Sequence, residues 1–300
     1  MRLPKFRPRL TPQVPGPGRE KIRGPRRTAR VWLLIGALTL LIVVLARPLG
    51  IDAMADAMRR EFVALRHVQS ASAALSAKPL DRAAVVRTLD RAVLIAPHNH
   101  AVQQRAGILY MYVGAYQKAA AFLAGLSDRD MLMQISLGHS LLLSGKTEQG
   151  LDILHKAAQQ ARARRQDGTI GAFHYALYLN NIGYALAEAN VDLARAHALI
   201  AEAMRIHPLQ PAFIDSLGWC YYRAGDYRQA MFYLERAARL GGPTTSAETH
   251  YHLGATYARM GRIRLAALAL AKALEYDPQY EEAAAELRQL NYFLPRPVRA

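Results

Sequence analysis

Two regimes of hydrophobic patterning divide the chain. Residues 31–46, VWLLIGALTLLIVVLA, run sixteen positions without a charge between Arg30 and Arg47. Nothing else in the sequence is so continuously apolar. From residue 51 onward, apolar positions recur instead every three or four residues, in short stretches punctuated by Gly, Asn and Pro. That spacing is the mark of amphipathic helices rather than strands. The pattern predicts an all-α chain: one membrane-length segment, then a succession of short helices.

The short helices repeat. Gly107, Gly138, Gly218 and Gly254 are each followed seven residues later by Gly114, Gly145, Gly225 and Gly261, and a fifth copy, Gly183, has Asn190 in the second place. Asn shares with Gly a tolerance for the left-handed conformation that ends a helix. With the first glycine set as position 8 of a unit, units start at 100, 131, 176, 211 and 247, spaced by 31, 45, 35 and 36 residues. Position 20 is then Ala119, Gly150, Ala196, Ala230 and Ala266, with a one-residue insertion ahead of Ala196, and position 24 is Leu123, Leu154, Ile200, Leu234 and Leu270. A first helix over positions 2–14, a break at position 15 and a returning second helix make a hairpin. Two antiparallel helices approach closely only where facing side chains are small, so Gly at 8 is expected opposite Ala at 20. One hairpin has too little core to stand alone, whereas five in a row bury a continuous one.

DSLGWCYYRAGDYRQAMFYLERAARL from Asp215 and HYHLGATYARMGRIRLAALALAKALEYDP from His250 carry this layout most fully. On these copies the chain resembles the tetratricopeptide repeat (TPR) family over roughly residues 100–280. The resemblance implies a right-handed superhelical solenoid of about five to six hairpins, preceded here by one transmembrane helix. It also implies a non-enzymatic scaffold that binds a protein or peptide partner in a concave groove. Groove-facing positions of that family, carried onto this sequence, are Asn180, Asn181, Tyr184 and Glu188; Asp215, Trp219, Tyr222 and Arg223; and Glu248, Tyr251, His252 and Arg259. The opposing expectation is that Asn181, Trp219 and Tyr222 serve packing between repeats. The lysines that grip a partner's C-terminal carboxylate in some members are missing, so a free-carboxylate specificity is not implied. Ahead of the array, residues 51–99 are expected to form a linker and degenerate first hairpin, with Met54, Met58, Phe62, Leu65, Val68, Ser72 and Leu75 on one apolar stripe. Residues 281–300 supply a capping helix and tail, with Tyr280, Ala284, Leu287 and Leu290 inward and Glu281, Glu282 and Glu286 outward. The long spacing before residue 176 predicts an extended helix and loop carrying Arg162, Arg164 and Arg165.

Charge then orients the chain. Lys+Arg 39 against Asp+Glu 23 gives +16, and residues 1–30 hold ten of those bases against the single acid Glu20. The positive-inside bias predicts a cytoplasmic N-terminus, an anchor over 31–50 and an array on the extracytoplasmic side. The alternatives are a signal cleaved near Ala46, releasing a soluble array, or a Pro/Arg-rich tail that binds anionic lipid or nucleic acid. The tail lacks the aromatic interleaving of a nucleic-acid binder, which makes that partner class unexpected.

Candidate chemistry is sparse. One cysteine, Cys220, excludes an internal disulfide and a CxxC pair. SGKT at residues 144–147 lacks the earlier glycine of a phosphate loop, since position 140 is Ser140. His250 and His252 sit two apart on a helix and project to different faces, and His98 and His100 follow Pro97 in a linker. No catalytic residue, metal site, cofactor or small-molecule substrate is predicted.

Overall fold

Local capping chemistry sets the helix ends. The computed structural model describes residues 35–36, 51–77, 80–126 and 130–290. The basic tail 1–30 and the expected anchor 31–50, apart from helical Ile35 and Gly36, lie outside the described residues. Among the described residues no helix is long and apolar enough to cross a membrane. The chain divides into two units, Met1–Ala57 and Met58–Ala300, and the array belongs to the second.

From residue 51 on, the described residues form thirteen α-helices and no strand. They begin with α1 (Ile51–Ala74), α2 (Arg82–Ile95), α3 (His100–Tyr112), α4 (Tyr116–Ala124), α5 (Met131–Leu143) and α6 (Thr147–Gln166). Then come α7 (Ala172–Glu188), α8 (Leu193–Ile206), α9 (Pro211–Arg223), α10 (Tyr227–Gly241), α11 (Ala247–Arg259), α12 (Ile263–Tyr276) and α13 (Glu281–Leu290). Asn99, Asp130 and Ser246 cap the N-termini of α3, α5 and α11, each side chain accepting a backbone N–H three residues on. Inside each hairpin the turn residue is left-handed: Gly145 has φ +82° and Asn190 has φ +57°. The next amide then bonds back to the first helix, as Lys146 N–H does to Leu141 O at 2.9 Å and Val191 N–H to Leu186 O at 3.0 Å, satisfying carbonyls the helix end leaves free.

The position-8 glycines lie at the hairpin crossings, with a refinement of the expected contact. A Cβ on Gly218 would meet Leu234 Cγ at 2.7 Å, and one on Gly254 would meet Leu270 Cγ at 2.6 Å. Gly107 and Gly138 face Leu123 and Leu154 in the same way, and Gly183 faces Ile200. The glycine thus makes room for the branched side chain at position 24, while Ala196, Ala230 and Ala266 at position 20 are fully buried beside it. Ala196 and Gly150 also bring their backbone carbonyls against Gly183 and Gly138.

Three boundaries and faces differ from expectation. α7 starts at Ala172, four residues before the unit, because Gly171 serves as its N-cap after an α6 that runs on through Arg162, Arg164 and Arg165. On α1 the buried stripe is Ala64, Val68 and Ala71, packed with Val85, Leu89 and Ala92 of α2, while Met58 and Phe62 are exposed. Small side chains supply much of that buried face, with Leu65 and Leu75 packed partly against it. On α13 the buried residues are Ala283 and Leu290, and Glu286 is half-buried rather than outward.

Within this unit the array returns to its own beginning. Leu80 N–H donates to Tyr276 O at 2.9 Å, Ala83 N–H to Gln279 Oε1 at 2.9 Å, and Gln279 Nε2 to Asp81 Oδ1 at 3.2 Å. Arg82 Nε donates to Asp277 Oδ2 at 2.5 Å, and its guanidinium lies 4.8 Å from the centre of the Tyr280 ring. The start of α2 and the end of α12 are therefore latched together, closing the superhelix into a ring. The inner faces of the first helices look into that ring.

Candidate functional site

The inner site grows from α7, α9 and α11. Helical spacing puts Tyr184 and Glu188, four residues apart, on one face of α7, and Tyr184 Oη lies 3.0 Å from Glu188 Oε2. The same hydroxyl contacts Glu248 of α11, two hairpins further along. From α9, Trp219 Nε1 donates to Glu188 Oε2 at 2.7 Å. Asp215, one turn earlier, meets His252 Nδ1 at 3.0 Å. Trp219 is the centre of a stack, with Tyr222 at 4.5 Å on one ring contact and His252 at 4.0 Å on another. Arg223 sits 5.8 Å from the Trp219 ring. Tyr251 lies 4.9 Å from Tyr280 at the start of α13.

Burial sorts these side chains. Trp219 and His252 are 2% and 1% exposed, and Asn180 and Asp215 are 5% and 7% exposed. Asn181, Tyr184, Glu188, Tyr222, Arg223 and Tyr251 are half-buried, while Glu248 and Arg259 are exposed. Arg259 Nε donates to Tyr227 Oη at 3.1 Å rather than reaching the centre. Trp219 is thus a packing residue of the inner face, which corrects its reading as a contact surface: flat rings on neighbouring first helices stack on one another before any partner arrives. Asn181 and Tyr222 keep accessible surface, with Asn181 Oδ1 accepting from Asn180 Nδ2 at 3.4 Å.

Electrostatics follow the same crowding. Burial opposes a charge on His252, but Asp215, Glu248 and Glu188 outweigh it and raise its pKa above the ordinary imidazole value. Glu248 opens onto the interior of the ring yet is hemmed in by the surrounding helices, and the desolvation pushes its pKa up, with Asp215 and Glu188 adding to the rise and His252 opposing it. Burial drives Tyr184 well above the usual phenol range, and the Glu248 and Glu188 carboxylates push it further. The Cys220 thiol is buried and pushed up to about 11, which fits a packed residue. Among the described residues no group of His, Cys, Asp or Glu has the arrangement to hold a metal ion.

Sequence reasoning passed over His139, Arg82 and Asp277 and turned Glu286 outward. His139 is buried, with its ring 5.9 Å from Tyr184 and 6.3 Å from Tyr116. It occupies position 9 of the unit at 131, the place that Tyr184 and Trp219 fill in their own units, so extending the register by one unit finds it. Glu286 turns inward with one buried carboxylate oxygen unpaired. Arg82 and Asp277 join residues 195 positions apart, and no repeat register carries that signal.

Comparison with known proteins gives partial likenesses. A stretch of 62 residues, 21% of this chain, is 40% identical to the TPR repeat-containing protein PA4667 of Pseudomonas aeruginosa. The match spans only 10% of that relative's length. No family model matches the chain. Among solved structures, the APC/C hetero-tetramer Cut9–Hcn1 is 16% identical, covering 72% of this chain and 42% of that one at a TM-score of 0.49. TTC0263, a thermophilic TPR protein of Thermus thermophilus, is 16% identical over 70% of this chain and 91% of its own, at a TM-score of 0.36.

Proposed function

We propose that the chain is a non-enzymatic, TPR-type scaffold that holds a partner polypeptide against the inner faces of α7, α9 and α11. The observation that carries this reading is the half-buried belt of Asn181, Tyr184, Glu188, Tyr222 and Tyr251, resting on a buried floor of Trp219 and His252. A solvated helix surface has no use for so many aromatics on one face. Rigid aromatic area with adaptable polar groups around it is the composition of a recognition surface. The apolar run at 31–46 and the basic tail before it support a single-pass anchor, with the N-terminus cytoplasmic and the array extracytoplasmic. Tethering raises effective concentration, so a modest groove affinity suffices.

Site-specific photocrosslinking in intact membranes tests the groove. A photoreactive residue at Asn181 or Tyr251 is expected to trap a discrete polypeptide species, whereas one at Phe232, exposed on a second helix, is not. Equal trapping at all three positions, or none at the inner two, overturns the reading. Reporter fusions at residue 300 and protease protection of the tail check the topology. An array digested by protease added on the extracytoplasmic side, with the tail protected, supports the orientation, and a cytoplasmic array refutes it.

A further inference from the structure

Hydrogen-bond accounting on the inner face leaves a surplus of acceptors. Tyr184 has one hydroxyl proton and two carboxylates in contact with it, Glu188 and Glu248. Glu188 Oε2 also accepts from Trp219 Nε1, so when both acids are ionised Glu248 is the one left short of a donor. Two further acceptors have no partner at all: Asn180 Oδ1 and Asp215 Oδ1 are buried on residues more than nine-tenths enclosed. Asp215 acts electrostatically on Glu248, so the two acids share one locus. Of the cationic side chains nearby, Arg82 pairs with Asp277, Arg259 donates to Tyr227, His252 pairs with Asp215 and Arg223 lies over the Trp219 ring. An excess of acceptors over donors favours a ligand that brings N–H groups and positive charge.

We propose that the groove receives an arginine- or lysine-bearing segment of its partner, with a cationic side chain seated between Glu188 and Glu248 and over the Tyr184 and Tyr251 rings. This deepens the scaffold reading above and rests on it. A guanidinium offers five N–H donors and an ammonium three, enough to serve both carboxylates. The aromatic rings add attraction for a cation held over their faces. A partner's terminal carboxylate meets the Glu188 and Glu248 carboxylates here, so the polarity of recognition is the reverse of a carboxylate-binding groove.

Fluorescence anisotropy on the full chain in detergent micelles tests this, using three labelled peptides: a Gly/Ser peptide carrying three arginines, its glutamate counterpart, and the uncharged parent. The arginine peptide is expected to bind at least about tenfold more tightly than either other peptide, with affinity falling as salt is raised. Glu188→Gln with Glu248→Gln is expected to weaken it by about tenfold. Gln at 188 still accepts from Trp219, and Glu248→Gln alone, at an exposed site, gives a milder variant whose fold is not in question; it is expected to weaken binding in the same direction. Glu275→Gln, an acid paired with Lys272 on α12, is expected to change nothing. Preference for the glutamate peptide, or equal binding of all three, overturns the proposal, as does a peptide-independent dimer that occupies the groove with a second copy. If photocrosslinking at Asn181 still traps a polypeptide while the arginine peptide fails, the charge preference falls and the scaffold reading stands. If both fail, both fall.

Discussion

Replacing Arg82 with alanine removes the centre of the latch that closes the array. Asp277 is 2% exposed, so the carboxylate stays buried after its guanidinium partner leaves. A hydrogen bond to a charged group contributes about 1.5–3 kcal/mol, and stacking of the cation over Tyr280 about 0.5–1 more. Gln279 N–H still donates to Asp277 Oδ1 at 3.1 Å, and water enters where the arginine stem stood, so the net loss is about 2 kcal/mol. Three hydrogen bonds then remain across the closure, one of them to the exposed Asp81 carboxylate, worth about 1 kcal/mol each against the cost of immobilising both ends. The ring is expected to open in a large fraction of molecules. Donor and acceptor dyes at Arg91→Cys and Arg288→Cys, both exposed sites, report the separation of the ends, and buried Cys220 does not compete for label. Transfer efficiency is expected to fall in Arg82→Ala and to fall less in Asp277→Asn, which keeps an acceptor. Unchanged transfer in Arg82→Ala refutes the claim that this ion pair holds the ring shut.

Gly218→Ala drives a methyl into Leu234 and is expected to cost about 1–3 kcal/mol, read as a lower midpoint in thermal or urea unfolding. Asn190→Ala is expected to cost about 1 kcal/mol from its left-handed backbone, and Asn190→Gly to be close to neutral. His139 is held by burial at about 4, against a smaller upward pull from Glu188. The unfolded chain therefore takes up this proton first, and stability is expected to drop by about 3 kcal/mol as pH falls from about 6.5 to about 4. His139→Gln should flatten that limb in denaturant titrations. His252 has the opposite sign: its raised pKa gives stability that is full below the ordinary imidazole value and is lost as pH rises through the folded value, so the deficit of His252→Gln is expected to shrink toward alkaline pH.

Most of the fold was legible because one device recurs. The glycine pair seven residues apart marks both the crossing and the turn of a hairpin, and a short-range pattern repeated five times overrides local ambiguity. The faces of α1 were not legible, since Met58 and Phe62 look more buryable than Ala64 and Ala71 until close packing is considered. The inner site was half legible. Register located Asn180, Tyr184, Asp215, Trp219 and His252, but register reports direction and not depth, so it did not separate the enclosed Trp219 from the accessible Tyr251. Whether side chains from neighbouring units meet depends on how tightly the superhelix winds. The Tyr184–Glu248 contact, made across 64 residues, arises from that winding.

The latch and the acceptor-rich interior share a residue, and that ties the closure of the fold to the character of the site. Tyr280 carries Arg82 on one contact and Tyr251 on another. Its own ionisation is suppressed first by burial and then by the Glu248 and Glu188 carboxylates, so it lies within the field of the inner acids. Arg82 is thus engaged by Asp277 and Tyr280 rather than by Glu188 or Glu248. Closing the ring keeps the Arg82 guanidinium on Asp277 and Tyr280. If the groove receives a cationic segment as proposed, a guanidinium freed by a loosened latch becomes a competitor for the same oxygens, and ring closure and that affinity are expected to rise and fall together.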